Sequence, residues 1–200
     1  PMLEWVNFEK FYVNHEIVEG VDLSCELSKR QFAQIHDALL DRTVLIFRDQ
    51  DLTKDQQVAF SRWFGDPQPS DISGFEKDDA HPEIDLLEYD ADNPPHTTLD
   101  LWHTDFAGRE KPTMGTTLYA KDIPPEGGDT IWVNAAVVYE SLSSRMKAHL
   151  DGLHACHDNY QPYDAHVRPE LWDKEYFDDN KRMRAEYSPA VHPVVRTHPV

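Results

Sequence analysis

The sequence predicts an α+β fold, and three observations predict it. Apolar residues recur at helical spacing behind capping residues in two early segments and again near residues 135–150. Short apolar runs of strand length, bounded by Pro, Gly and Asp, separate those segments. No internal repeat and no low-complexity tract points to a solenoid or a linker array.

Taken in order, residues 28–40 read as a helix, because Ser28 is a good cap and Phe32, Ile35 and Leu39 fall on one face. Val44-Leu45-Ile46-Phe47 is a buried strand. Thr53 caps a second helix running to Phe64, with Val58, Phe60 and Trp63 turned inward and Gly65 ending it. Residues 67–95 are rich in Pro, Asp and Ser and form a long loop, interrupted by a strand at 84–89. Two further strands, 114–120 and 130–134, flank the turn Pro124-Pro125-Glu126-Gly127-Gly128. Residues 135–150 read as one helix. Residues 161–189 are charged and aromatic without a usable period.

Composition narrows the function. The chain has 200 residues, 40% of them hydrophobic and 11% aromatic, enough for one domain with a real core. A net charge of −18 excludes a polyphosphate partner, which needs a basic surface. An anionic substrate then needs a locally basic pocket. No run approaches the roughly 20 apolar residues that span a bilayer, and no secretory leader is visible. Cys25 and Cys156 form no CxxC and read as two reduced thiols. These features together predict a cytoplasmic protein without a membrane or nucleic-acid partner; a homo-oligomer remains open.

The chemistry concentrates at Leu101-Trp102-His103-Thr104-Asp105-Phe106, which contains His-x-Asp. On a strand, side chains at i and i+2 share a face, so an imidazole and a carboxylate would converge there. One more His from elsewhere would complete the facial triad of non-haem Fe(II) oxygenases. Three ligands on one face leave three positions for a chelating co-substrate and O₂. Alone the pair is weak, because a chain with 11 His and 37 acidic residues makes chance pairs, and a solvated His is the ordinary alternative.

The surroundings sharpen it. Trp102-His103-Thr104-Asp105 is followed by Gly127-Gly128-Asp129-Thr130 and then by His192-Pro193-Val194-Val195-Arg196-Thr197-His198-Pro199. Upstream stand Val44-Leu45-Ile46-Phe47-Arg48-Asp49-Gln50 and Phe60 to Gly65. In this order and along nearly the whole chain, the sequence resembles the taurine dioxygenase (TauD/TfdA-like) family, which includes phenoxyacetate and alkylsulfate oxygenases. The resemblance implies a mainly β core, a double-stranded β-helix or jelly roll, with flanking helices. It implies His103 and Asp105 as catalytic iron ligands and Thr130 as a hydroxyl donor to a 2-oxoglutarate carboxylate. It implies Fe(II), 2-oxoglutarate and O₂ as cofactor and co-substrates, and oxidation of an unactivated C–H bond, usually hydroxylation, with succinate and CO₂ as co-products. Read from the residues alone, Thr130 is an ordinary β-branched strand former.

Departures from the family pattern matter too. The family's second His ligand and its co-substrate Arg lie beyond the His-Pro-Val-Val-Arg-Thr-His-Pro segment, so they are expected after Val200, and residues 1–200 are expected to be one oxygenase domain cut short at its C-terminal end. His192, His198 and Arg196 are read as structural. Where taurine-using members carry a sulfonate-binding His, this chain has Pro67-Gln68-Pro69, and where they carry Asn four residues before the metal His it has Leu99. Taurine is therefore disfavoured. A small anionic substrate with an apolar or aromatic body suits Leu99 and Phe106, whose ordinary alternative is packing.

His96 reads as a surface-loop residue, and Trp172, Tyr176 and Phe177 as packing. His154 and His157 sit on a strand, facing opposite sides, and are not taken as ligands. Two competing classes remain: a jelly-roll Zn hydrolase or isomerase, with no need for 2-oxoglutarate, and a non-catalytic binding fold lacking the second His.

Overall fold

The computed structural model describes residues 16–69, 76–90, 102–127, 129–158, 181, 182, 185 and 188–198. The chain divides into two compact units that alternate along the sequence: residues 1–67 with 117–149 and 200, and residues 68–116 with 150–199. Helices and strands are mixed, and the described strands form three two-stranded sheets.

In the first unit, strand β1 (Glu16–Val18) pairs in parallel with β2 (Leu45–Phe47), Ile17 opposite Ile46. Parallel strands need a crossover, and helix α1 (Lys29–Arg42) supplies it. As the sequence predicts, Ser28 caps α1, and the cap is reciprocal: Gln31 N–H donates to Ser28 Oγ while Ser28 N–H donates to Gln31 Oε1. Thr43 ends the helix in the left-handed conformation at φ 65°, its N–H donating to the Leu39 carbonyl at 2.8 Å. Helix α2 (Lys54–Ser61) carries the same reciprocal cap at Thr53 and Gln56. It is shorter than expected: Trp63 and Phe64 N–H groups bond three residues back, to Phe60 and Ser61, so the chain tightens into a last turn before Gly65.

The core of this unit is Leu23, Leu27, Ile35, Leu52 and Phe60, with Leu45, Phe47, Trp63, Phe64 and Tyr119 against it. Phe32 stacks on Trp63 at 4.9 Å, and Phe64 meets both Phe32 and Phe60 edge-on. Truncating the buried Ile35 to Ala is worth about 2–5 kcal/mol in such a setting. Polar ties close the loops around it. The Gln50 side chain accepts from Leu23 N–H and donates to the Val21 carbonyl. Tyr119 accepts from Leu52 N–H and donates to the Gln50 carbonyl, both at 3.1 Å.

Two expectations change in this unit. Residues 135–150 form two helices, α3 (Ala135–Ser141) and α4 (Ser144–Leu150). Leu142 takes an extended conformation, and Ser143 restarts the chain by accepting from Met146 N–H. Serine side chains compete for backbone groups, and the run Ser141-Leu142-Ser143-Ser144 breaks the helix for that reason. Lys147 bridges the break with an ion pair to Glu140 at 2.9 Å. Residues 114–120, of which 117–120 lie in this unit, and 130–134 are not laddered strands; only Val133 makes an isolated bridge, and Leu118 and Ile131 are exposed. A ladder needs a partner strand for each N–H and C=O, and none of the described strands pairs with these segments.

The second unit contains strands β3 (Glu76–Lys77) and β4 (Asp85–Leu86), antiparallel, with Lys77 opposite Asp85. Between them Asp78 Oδ1 accepts from the Ala80 and His81 N–H groups, which turns the chain. The predicted strand at 84–89 is thus present but reduced to two residues. Strands β5 (His154–His157) and β6 (Ala190–Pro193) form an antiparallel pair with His192 opposite Ala155. Burial alternates as period two requires: Ala155, His157, Ala190 and His192 turn inward, and His154, Cys156 and Val191 turn out. His154 and His157 therefore face opposite sides, as expected. Residues 91–100 and 159–180, which include His96, Leu99, Trp172, Tyr176 and Phe177, lie outside the described residues.

Candidate metal centre

The His-x-Asp motif lies in the second unit, at the mouth of a turn and not on a strand. Phe106 adopts φ 52°, in the left-handed region, and Arg109 N–H donates back to the Phe106 carbonyl at 2.9 Å. An aromatic side chain is seldom found in that region, where it costs roughly 1–2 kcal/mol. The strand expected at this point is thereby corrected: the chain folds back at Asp105, and the convergence of the two side chains comes from the turn.

The convergence itself is there. His103 Nε2 stands 3.4 Å from Asp105 Oδ1, both side chains about half exposed. Two donors each about 2.1 Å from one octahedral metal stand roughly 3 Å apart, so a nitrogen and an oxygen at this separation fit a shared divalent ion. The second carboxylate oxygen is also held, since Thr116 Oγ1 donates to Asp105 Oδ2 at 2.9 Å. A hydroxyl there fixes the rotation of the carboxylate and leaves Oδ1 directed at the imidazole.

Arg109 ties the turn down. Its guanidinium lies 4.1 Å from the Phe106 ring centroid, and Nη2 donates to the Pro69 carbonyl at 2.8 Å. Its own carbonyl receives a hydrogen bond from His192 at 2.9 Å. Because a carbonyl only accepts, His192 Nε2 carries the proton. That nitrogen is committed, which agrees with a structural reading of His192.

The structure thus brings His103 and Asp105 together, while Phe106, next in the turn, sets its ring against Arg109. Thr130 is exposed and belongs to the first unit, beyond a turn where Gly127 takes φ 82°. Among the described residues no group of three His, Cys, Asp or Glu side chains converges as a complete metal site. His154 Nδ1 is turned to the Gly152 carbonyl, and His198 is exposed. Sequence reasoning missed Thr116, Arg109 and the specific partner of His192. Thr116 sits in a β-branched run that looks like strand, and the other two act through main-chain carbonyls, which leave no motif.

Comparison with known proteins identifies the family of the chain. Residues 9–200 match the family described as taurine catabolism dioxygenase TauD, TfdA, and the chain belongs to that family. It is 29% identical over 189 residues to the alpha-ketoglutarate-dependent sulfate ester dioxygenase of Pseudomonas putida, covering 92% of this chain and 59% of that protein. It is 30% identical over 198 residues to the alpha-ketoglutarate-dependent 2,4-dichlorophenoxyacetate dioxygenase of Cupriavidus pinatubonensis, covering 90% of this chain and 65% of that one. Among solved structures it resembles a taurine dioxygenase from Burkholderia xenovorans, with 32% identity and a TM-score of 0.64 over 94% of this chain and 56% of that chain. It also resembles AAD-2 in complex with Mn(II) and N-oxalylglycine, with 27% identity and a TM-score of 0.60, over 94% of this chain and 63% of that chain. The chain spans between about half and two thirds of the length of the curated relatives it matches.

Proposed function

We propose that the chain forms the metal-binding part of an Fe(II)- and 2-oxoglutarate-dependent dioxygenase that oxidises an unactivated C–H bond of a small anionic organic substrate. The observation that carries this is the pairing of His103 Nε2 and Asp105 Oδ1 at 3.4 Å, inside a chain that matches the family from residue 9 to residue 200. In this reading His103 and Asp105 ligate the iron, and Thr130 donates to a carboxylate of 2-oxoglutarate. A second His and a co-substrate Arg come from sequence beyond Val200. Residues 1–200 then belong to a single domain whose short sheets are parts of a jelly roll. Bound iron with 2-oxoglutarate would supply the oxidation, with succinate and CO₂ as co-products and hydroxylation the usual outcome.

The protein's own residues supply the rest. The turn at Asp105 presents both donors on one side, and Thr116 keeps the carboxylate from rotating. Mn(II) with N-oxalylglycine, an amide isostere of 2-oxoglutarate, in AAD-2 supports the same ligand pair of metal and 2-oxo acid for this chain. For the substrate, relatives that act on a sulfate ester and on 2,4-dichlorophenoxyacetate favour an anionic head on an apolar or aromatic body, with Leu99 and Phe106 as its contacts. No helix among the described residues is long and apolar enough to cross a membrane, which is compatible with a cytoplasmic enzyme.

The test is an anaerobic titration of the full-length protein with Fe(II) and then 2-oxoglutarate. We expect a weak visible charge-transfer band that is lost in His103→Ala. A protein that holds Zn tightly, or no metal, and develops no band would overturn the oxygenase reading in favour of a Zn hydrolase or isomerase, or of a binding protein.

A further inference from the structure

We propose that His192 is a positioning residue for the metal-ligand turn, holding Asp105 in place from a strand 83 residues away from Arg109. This rests on the reading of Asp105 as a ligand.

The geometry is built from β6 outward. His192 is on the inward face of β6, opposite Ala155, whose small side chain leaves the ring room. The His157 ring lies against it diagonally, 5.4 Å between centroids, and limits how it can swing. Its Nε2–H then meets the Arg109 carbonyl at 2.9 Å.

Arg109 is where the turn closes, through its N–H bond to the Phe106 carbonyl. Phe106, the accepting end of that bond, holds a left-handed conformation at φ 52°, which an aromatic residue keeps only when its surroundings impose it. The Arg109 side chain supplies part of that constraint through Pro69 and the Phe106 ring. These ties grip the side chain, however, and the long Arg side chain is intrinsically adaptable. His192 grips the main chain itself. It therefore fixes where the turn ends, and with it the direction in which Asp105, the first residue of the turn, aims its carboxylate. Thr116 sets the rotation of that carboxylate; His192 sets the position of the backbone that carries it.

The test compares His192→Ala with His192→Gln in the full-length protein. Mn(II) affinity is followed by electron paramagnetic resonance, and hydrogen–deuterium exchange is followed over residues 104–110. Loss of a residue that orients a ligand weakens metal binding by about 10-fold or more. We expect that loss in His192→Ala, with faster exchange confined to the turn and unchanged exchange in α1 and α2. His192→Gln, whose amide N–H still reaches a carbonyl, recovers most of both. Unchanged exchange at the turn in His192→Ala overturns the proposal. So does a Gln variant that binds Mn(II) no better than Ala while its turn stays protected, because that pattern belongs to a metal ligand. If His192→Ala does not fold, Gln against Met makes the same comparison. A parent protein that binds no Mn(II) overturns the oxygenase reading instead, and the exchange comparison still decides whether His192 holds the turn.

Discussion

Thr116 makes the most local of the contacts that shape the metal pair. Its hydroxyl donates to the Asp105 oxygen that does not face His103, so replacing it with Val removes a donor and keeps the shape. We expect Thr116→Val to weaken Mn(II) or Fe(II) binding by about 10-fold, while Thr116→Ser stays close to the parent. Because the site is exposed, the unfolding midpoint should hardly move. Equal affinities in the three proteins would mean that the carboxylate is oriented by something else. A second residue-scale case is Asp22. The Ser24 hydroxyl, at 2.6 Å, and then the Ser24 N–H, at 2.9 Å, hold its carboxyl below the ordinary value of 3.8. A depressed folded value means that the contribution to stability is present above the unfolded pKa and is lost as pH falls through the folded one. NMR titration of Asp22 should give a midpoint below 3.8, and Ser24→Ala should move it back up.

Elements were legible in the sequence wherever the signal was local. Ser28 and Thr53, each followed three residues later by Gln, mark two helix starts that the structure reproduces with both halves of the reciprocal cap. The end of α1 is less well built. Thr43 is a β-branched residue at φ 65° where Gly is the usual choice. Thr43→Gly should stabilise the protein by up to about 1 kcal/mol, read as a rise in unfolding midpoint, because the side chain is exposed and the backbone strain is removed. A lower midpoint would show that the Thr43 hydroxyl bond to the Arg42 carbonyl, at 2.6 Å, outweighs the strain. Non-local features were legible only in part. The apolar content of residues 114–120 and 130–134 looks like strand, but pairing depends on a partner that those residues do not specify. The break at Leu142 was hidden because an apolar residue between serines keeps the helical period while the serines undo the hydrogen bonding. At His103 and Asp105 the residue types were right for a metal pair although the local structure is a turn. Chemistry shows in the side chains, whereas the left-handed φ of Phe106 has no mark in an aromatic residue.

At the scale of the whole molecule, charge sets the terms on which an anion approaches. The chain carries −18 at neutral pH, while 2-oxoglutarate and the proposed substrates are anions. A field of that sign repels them at distances comparable with the Debye length, which is about 30 Å at 0.01 M salt and about 8 Å at 0.15 M. Inside the proposed site the balance would reverse, because a bound divalent metal and the co-substrate Arg proposed to lie beyond Val200 would attract a dianion over a few ångströms and be screened far less. The two effects respond oppositely to salt. If the surface field dominates, raising the ionic strength from 0.01 to 0.15 M should tighten 2-oxoglutarate binding to the Fe(II) protein, by roughly two-fold for a modest residual potential. The charge-transfer band, titrated at several salt concentrations, reads this directly. Binding that weakens steadily with salt would place the controlling charge in the pocket itself and would point to a cation close to the co-substrate, ahead of the acidic surface, as the determinant of affinity.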